Sequence, residues 1–187
     1  MKLLFKNFIS LSEEEKTLIH SERNKPVIRS KMYNQEIISI ENHLNWINNL
    51  KNKIDCLYFL VLVNNEAVGV VDFTNITHTS CESGSYLFEQ YLGSGYGIVL
   101  EKLSIDYIFN NLGLSQLNIA VLESNKNVFK NHCKYFGFKK NEKLNCLKEN
   151  NLFLGFSLSK DTWNNLDKKF INKCISLFDI DEVIWSK

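Results

Sequence analysis

Three of the eight glycines in this 187-residue chain fall within five positions, Gly93, Gly95 and Gly97. They stand between Ser83–Leu87, which reads as a strand, and Ile98–Phe109, whose apolar residues recur with helical period. Strand, glycine turn and helix in that order bring backbone N–H groups and the positive end of a helix to one spot where a phosphate can rest. Glycine is needed there because any side chain would block the approach. No G-K-[ST] follows, so the turn is not a Walker A loop, and it is not G-x-G-x-x-G either. Taken alone, it is equally a tight turn built for its own backbone geometry.

Around this loop the chain alternates helices and strands. Ser12–Glu22 opens with a capping Ser and acids in its first turn, and reads as a helix. Ser39–Lys51 spaces Ile40, Leu44, Ile47 and Leu50 by threes and fours, a second helix that follows a turn at Pro26. Tyr58–Val63 and Ala67–Phe73 are β-branched runs joined through Asn64-Asn65, the signature of a hairpin. Leu117–Leu122 and Leu152–Leu158 read as strands, and Asn127–Phe136 and Asp161–Leu177 as helices. The class is α/β or α+β with a mixed sheet. Residues 1–160 are expected to form the main domain, and 161–187 a helical extension packed on it.

Charge and cysteine usage remove whole classes of function. Twenty-two Lys and Arg balance 21 Asp and Glu, which leaves +1 and no general field for a nucleic-acid backbone. Five cysteines without a C-x-x-C pair suit a reducing cytoplasm and offer no metal set. The N-terminal stretch lacks an unbroken signal-peptide core, and no run approaches the roughly 18 apolar residues of a membrane span. A cytoplasmic protein without membrane or nucleic-acid partners is expected.

The order around the loop is more specific than the loop. Gln90-x-x-Gly93-x-Gly95, Asn125 after the next strand and Phe136-Gly137-Phe138 ending the next helix resemble the GNAT acetyltransferase superfamily. Stretches from Lys6 to about Leu158 narrow the resemblance to the N-acetyltransferases of pseudaminic acid biosynthesis, which acylate a UDP-linked 4-amino-4,6-dideoxy-N-acetyl-altrosamine. Among them are Arg23-Asn24-Lys25-Pro26, Glu41-Asn42-His43-Leu44, Ser80-Cys81-Glu82 and, most specific of all, the run Gly69–Thr77. The resemblance implies the GNAT fold, a mixed and mostly antiparallel central sheet flanked by helices. It also implies acetyl-CoA as co-substrate, its pyrophosphate held by the loop. Leu87, Gln90, Gly93, Ser94, Gly95, Tyr96, Gly97 and Asn125 would bind the coenzyme. The glycine register has two readings, Gly93/Gly95 by the literal motif and Gly95/Gly97 by the spacing to the helix.

The same resemblance places Arg23, His43, Thr74 and Tyr86 in the nucleotide-sugar pocket, where Arg forks onto a diphosphate and His donates to phosphate or uracil. A sugar amine would attack the thioester directly in a ternary complex, so positioning supplies most of the rate. The relatives place a Tyr acid seven residues after the Asn. Here that position is His132, a count back from Gly137 gives Cys133, and Tyr135 lies close by. Tyr135 and His132 stand as candidate acids beside protonation of the thiolate by water, and Glu123 is the nearest candidate base. Two other readings stay open: the same fold with another amine acceptor, such as a ribosomal-protein N-terminus or another amino sugar, and a CoA-binding module without turnover. Assembly is also open, with a homodimer among the outcomes.

Overall fold

In the computed structural model, which describes residues 1–186, the chain begins with a strand that sequence reasoning did not anticipate. β1 (Lys2–Asn7) buries Leu3 and Phe5 completely and turns Lys2 and Lys6 the other way. It pairs antiparallel with β2 (Leu57–Val63), which turns through Asn64 and Asn65 into β3 (Glu66–Thr74). Both asparagines hold positive φ, 49° and 71°, as a two-residue primed turn requires. β4 (Ser80–Leu87) adds antiparallel to β3 and begins three residues earlier than its sequence suggested.

The next pairing decides what the fold can do. β5 (Gln116–Leu122) meets β4 in parallel through three pairs, from Ser80 with Gln116 to Glu82 with Asn118. Beyond Glu82 the two strands separate, and the facing edges of 83–87 and 119–122 have no strand between them. β6 (Lys139–Lys140) and β7 (Cys146–Lys148) both pair with β8 (Asn151–Ser159), which runs antiparallel to the outer edge of β5. β9 (Glu182–Trp185) joins the far side of β1 in parallel, giving the order β6-β8-β5-β4-β3-β2-β1-β9. This is the mixed, mostly antiparallel sheet flanked by helices that the sequence implied.

Helices cover both faces. α1 (Glu13–Asn24) starts in a capping box, with Ser12 Oγ accepting from the Glu15 N–H at 3.2 Å and the Ser12 N–H donating to Glu15 Oε2 at 2.7 Å. It stops before Pro26, which opens the single turn α2 (Pro26–Arg29). α3 (Ile40–Leu50) is capped by Ser39, and its Ile47 and Leu50 pack with Ile19 of α1 on Leu60, Val70 and Phe88. On the opposite face α4 (Tyr96–Asp106) and the wider helical turn Tyr107–Asn111 bury Val99, Ile105, Ile108 and Phe109 against Phe59, Val71 and Phe73. α5 (Lys126–Tyr135) follows β5.

The stretch after residue 160 is not purely helical. α6 (Lys160–Asn165) and α7 (Lys169–Ser176) are separate helices, and β9 extends the sheet. Trp163, 2% exposed, donates from Nε1 to Asp106 Oδ1 at 2.9 Å. Trp185 stacks on Phe5 with ring centres 3.7 Å apart and on Tyr107 at 4.1 Å. No helix among the described residues is long and apolar enough to cross a membrane.

Candidate active site

The parting of β4 and β5 opens a cavity of about 830 Å³ that runs from α1–α3 through the split to the N-terminus of α4. Its size suits a coenzyme and a second substrate together. At one end lies the glycine loop. Gly93 and Gly95 hold φ of +81° and +88°, where a side chain would be strained, and Gly95 is the N-cap of α4. Gly97 has ordinary φ, and a methyl group added to Gly93 or Gly97 would meet nothing within 4 Å, so both face open space on the cavity wall. The two registers read from the sequence thus describe one loop: Gly93 and Gly95 turn the chain, and Gly97 clears the first helical turn. A pyrophosphate fits there on amides and helix dipole, and two free strand edges offer hydrogen bonds to an amide-bearing arm such as pantetheine. Those are the groups that would hold acetyl-CoA.

Several neighbours of the loop have other duties. Ser94 Oγ accepts from the Tyr96 N–H at 3.2 Å and so braces the turn. The Tyr96 ring lies between Tyr91 and Phe178, at 6.0 and 5.2 Å, and Gln90 is exposed on the short turn before the loop. Gln90, Ser94 and Tyr96 are therefore absent from the cavity wall, whereas Leu87 and Asn125 are on it. The Asn125 side chain makes no capping bond to α5.

The expected acid and base need correction. Tyr135 stacks flat on Phe170 of α7 at 3.9 Å and does not reach the cavity, because the closing helices claim its face of α5. Glu123 is exposed at the end of β5, also off the wall. His132 does line the cavity, but both ring nitrogens are engaged: Nδ1 lies 2.8 Å from the Val128 carbonyl and Nε2 3.1 Å from Glu101 Oε1 of α4. Burial disfavours its charged form, yet the Glu101 carboxylate and the Val128 carbonyl outweigh that and raise its pKa above the usual histidine value. Both nitrogens face acceptors, which favours the protonated ring, and it is clamped between α4 and α5 with no spare N–H to give.

At the other end, Arg23, His43, Thr74 and Tyr86 share the wall. Arg23 donates from Nη2 to the Asn34 carbonyl at 2.8 Å, while its buried Nη1 has no partner among the described residues. Burial lowers its pKa, and the nearby Arg29 adds to the effect. His43, 3% exposed, is pushed down to about 4 by burial and by His20, so it is neutral near pH 7. Its Nε2 lies 3.1 Å from the Lys16 carbonyl and must carry the proton, which leaves Nδ1 as an acceptor. This reverses the expected role: His43 cannot donate to a phosphate, but it can receive an N–H or O–H.

The floor holds two carboxylates that sequence reasoning did not assign. Across β2, β3 and β4 the registers align Tyr58, Asp72 and Gly84 in one row, and Thr74 with Glu82 in the next. Residues paired across neighbouring strands share a face, so all of them look into the cavity. Asp72 leans over Gly84 so closely that a methyl group there would lie 2.8 Å from its Oδ2. Burial, and then the charge of Glu82, raise its pKa to about 7. The signal was an acid between Val70 and Thr74 on the inward face of a buried strand.

Residues 9–138 match the acetyltransferase (GNAT) domain family. Two curated relatives, both acetyltransferase PseH from Campylobacter jejuni, are 34% and 35% identical over 148 residues, which span 77% of this chain and 92% of theirs. The crystal structure of Campylobacter jejuni N-acetyltransferase PseH in complex with acetyl coenzyme A superimposes with a TM-score of 0.66 at 28% identity, covering 84% of this chain and 99% of that one. Spermidine N-acetyltransferase from Vibrio cholerae, with CoA and spermine, shares the fold at a TM-score of 0.76 and 18% identity, over 88% of this chain and 99% of its own.

Proposed function

Because this chain belongs to the GNAT acetyltransferase family, we propose that its acetyl-CoA-dependent N-acetyl transfer is directed to the 4-amino group of a UDP-linked amino-dideoxy sugar, in the pseudaminic acid pathway of the cytoplasm. One observation carries the acceptor class: Arg23 lines the cavity, and one of its guanidinium nitrogens, Nη1, is buried without a partner among the described residues. An unsatisfied buried donor is costly, and a diphosphate oxygen satisfies it at full charge-assisted strength. Neutral His43, close to Trp46 at a ring distance of 5.8 Å, adds an acceptor and aromatic surface suited to a uracil or sugar edge. A polyamine such as the spermine of the Vibrio cholerae complex would bring cations to Arg23, and a basic N-terminal peptide would do the same.

Acetyl-CoA brings the activated acetyl group as a thioester; the chain's part is placement. The glycine loop and the free edges of β4 and β5 hold the coenzyme in the split, and α1–α3 hold the nucleotide. The amine is thereby brought to the thioester carbon in a ternary complex without a covalent enzyme intermediate. His132, paired with Glu101, lies in the same wall as Asn125 and fixes α5 against α4 beside the coenzyme.

The test is binding of UDP by calorimetry to the wild type and to Arg23→Ala. The expected result is measurable UDP affinity in the wild type, weakened about tenfold or more by the substitution, while acetyl-CoA affinity stays within twofold. Equal UDP affinity in both proteins would remove Arg23 from the nucleotide site.

A further inference from the structure

We propose that Asp72 is the group that accepts the proton of the acceptor's ammonium, with its carboxylate placed over Gly84 at the mouth of the β4–β5 split. The inference rests on the amino-sugar reading and deepens it.

Position is the first argument. β4 and β5 last pair at Glu82 with Asn118, and Gly84 is two residues further on, on the cavity side of the fork. The Asp72 carboxylate fills the space that a side chain at 84 would occupy, which carries it across β4 toward the gap where the thioester must lie. Lack of commitment is the second. The hydrogen bonds and ion pairs of the described residues leave this carboxylate without a structural duty, and only burial and the charge of Glu82 act on it. The half-buried Asp72 carboxylate has no protein partner to support its charge, and a cation supplied by the substrate would do so.

The groups facing it are compatible with this role. Tyr58 stands beside it on β2 and Tyr86 one row along on β4. Glu82 lies on its other flank, Tyr33 comes from the segment after α2, and Cys56 and Cys81 lie near enough to feel its charge. Burial raises the tyrosines and both thiols away from ionisation, and the charge that bears on Asp72 itself is that of Glu82. With a pKa of about 7, Asp72 is poised for proton transfer at neutral pH. The acceptor's charges are then met separately: Arg23 at the end away from the glycine loop takes its anionic part, and Asp72 on the floor takes its ammonium.

The step balances. Asp72 takes one proton from the ammonium, and the freed nitrogen pair forms the C–N bond at the thioester carbonyl carbon. As the C–S bond breaks, the sulfur leaves with the electron pair and takes the second nitrogen proton, directly or through water. Asp72 then returns its proton to solvent, so an ammonium and a thioester give an amide, a free thiol and one released proton.

Two readouts test this. In the first, kcat/KM with the UDP-linked 4-amino sugar is measured against pH. The wild-type profile should bend near pH 7. Asp72→Asn should lower kcat/KM at pH 7 by about 100-fold or more and lose that bend, rising with unit slope toward the pKa of the amine itself. In the second, binding is measured without acetyl-CoA for the amino sugar and for the same UDP-sugar with hydroxyl in place of the amine. Asp72→Asn should lose about tenfold toward the amine while binding the hydroxyl sugar as the wild type does. Asparagine has nearly the same shape and removes a half-buried, unpaired charge, so the fold is kept. Gly84→Ala, whose methyl displaces the carboxylate, should reproduce the kinetic loss. A wild-type-like pH profile and binding preference in Asp72→Asn would overturn the proposal. If the wild type binds neither UDP nor either sugar, the acceptor reading itself has failed, which is a different result from binding that is indifferent to Asp72.

Discussion

His43 should make the protein acid-sensitive by a calculable amount. Its ring is 3% exposed and its pKa in the fold is about 4, against about 6.5 in an unfolded chain. A histidine depressed in this way favours the fold fully above pH 6.5, and the contribution is lost as pH falls toward 4, because the unfolded chain binds the proton first. A gap of about 2.5 pH units at 1.36 kcal/mol each is worth about 3 kcal/mol at most, of which about 2.5 should already be gone at pH 4.5. The perturbation is His43→Gln, whose amide can still donate to the Lys16 carbonyl but does not titrate. Urea unfolding of both proteins at pH 7.5 and 4.5 gives the difference free of other acid-titrating groups, Asp72 included. The wild type should lose about 2.5 kcal/mol more than the variant over that interval. Equal losses would refute the buried, neutral ring and with it the acceptor role given to Nδ1.

Tyr135→Phe should leave kcat within twofold of the wild type, because the hydroxyl lies on the Phe170 side of α5 rather than in the cavity; a loss of tenfold or more in steady-state turnover would return it to the reaction. His132→Gln should cost about 3 kcal/mol in chemical denaturation by leaving Glu101 charged and unpaired, and adding Glu101→Gln should recover most of it; losses that simply add would show that the two are not coupled.

What could be read from the sequence was local. The glycine turn, the Asn64-Asn65 hairpin and the Ser-capped α1 and α3 each declare themselves within a dozen residues, through a backbone conformation or a period that few residue types permit. β1 and β9 escaped because their partners are distant in sequence: β1 pairs with β2, more than fifty residues later, and the four-residue β9 pairs with β1. Lys2 and Lys6 dilute β1, and the four residues of β9 are held by pairing with β1 and by Trp185 on Phe5, contacts nearly the whole chain apart. Tyr135 stood as a candidate because the relatives' acid is a Tyr and it lies close to the position that spacing gives to His132; its direction is set by α7, which lies more than thirty residues later. Asp72 sat inside the most specific run of the chain. Its meaning came from the register that sets it beside Gly84 and from the break in pairing after Glu82, neither of which a single strand reveals.

The most direct test is release of the CoA thiol from acetyl-CoA by the purified chain with three acceptors side by side: UDP-4-amino-4,6-dideoxy-N-acetyl-altrosamine, its 4-epimer, and spermidine. Rapid release with the altrosamine sugar, and at least tenfold slower release with the other two, is the expected result. Preference for spermidine, or no release with the nucleotide sugar while acetyl-CoA still binds, would contradict the acceptor assigned to this cavity.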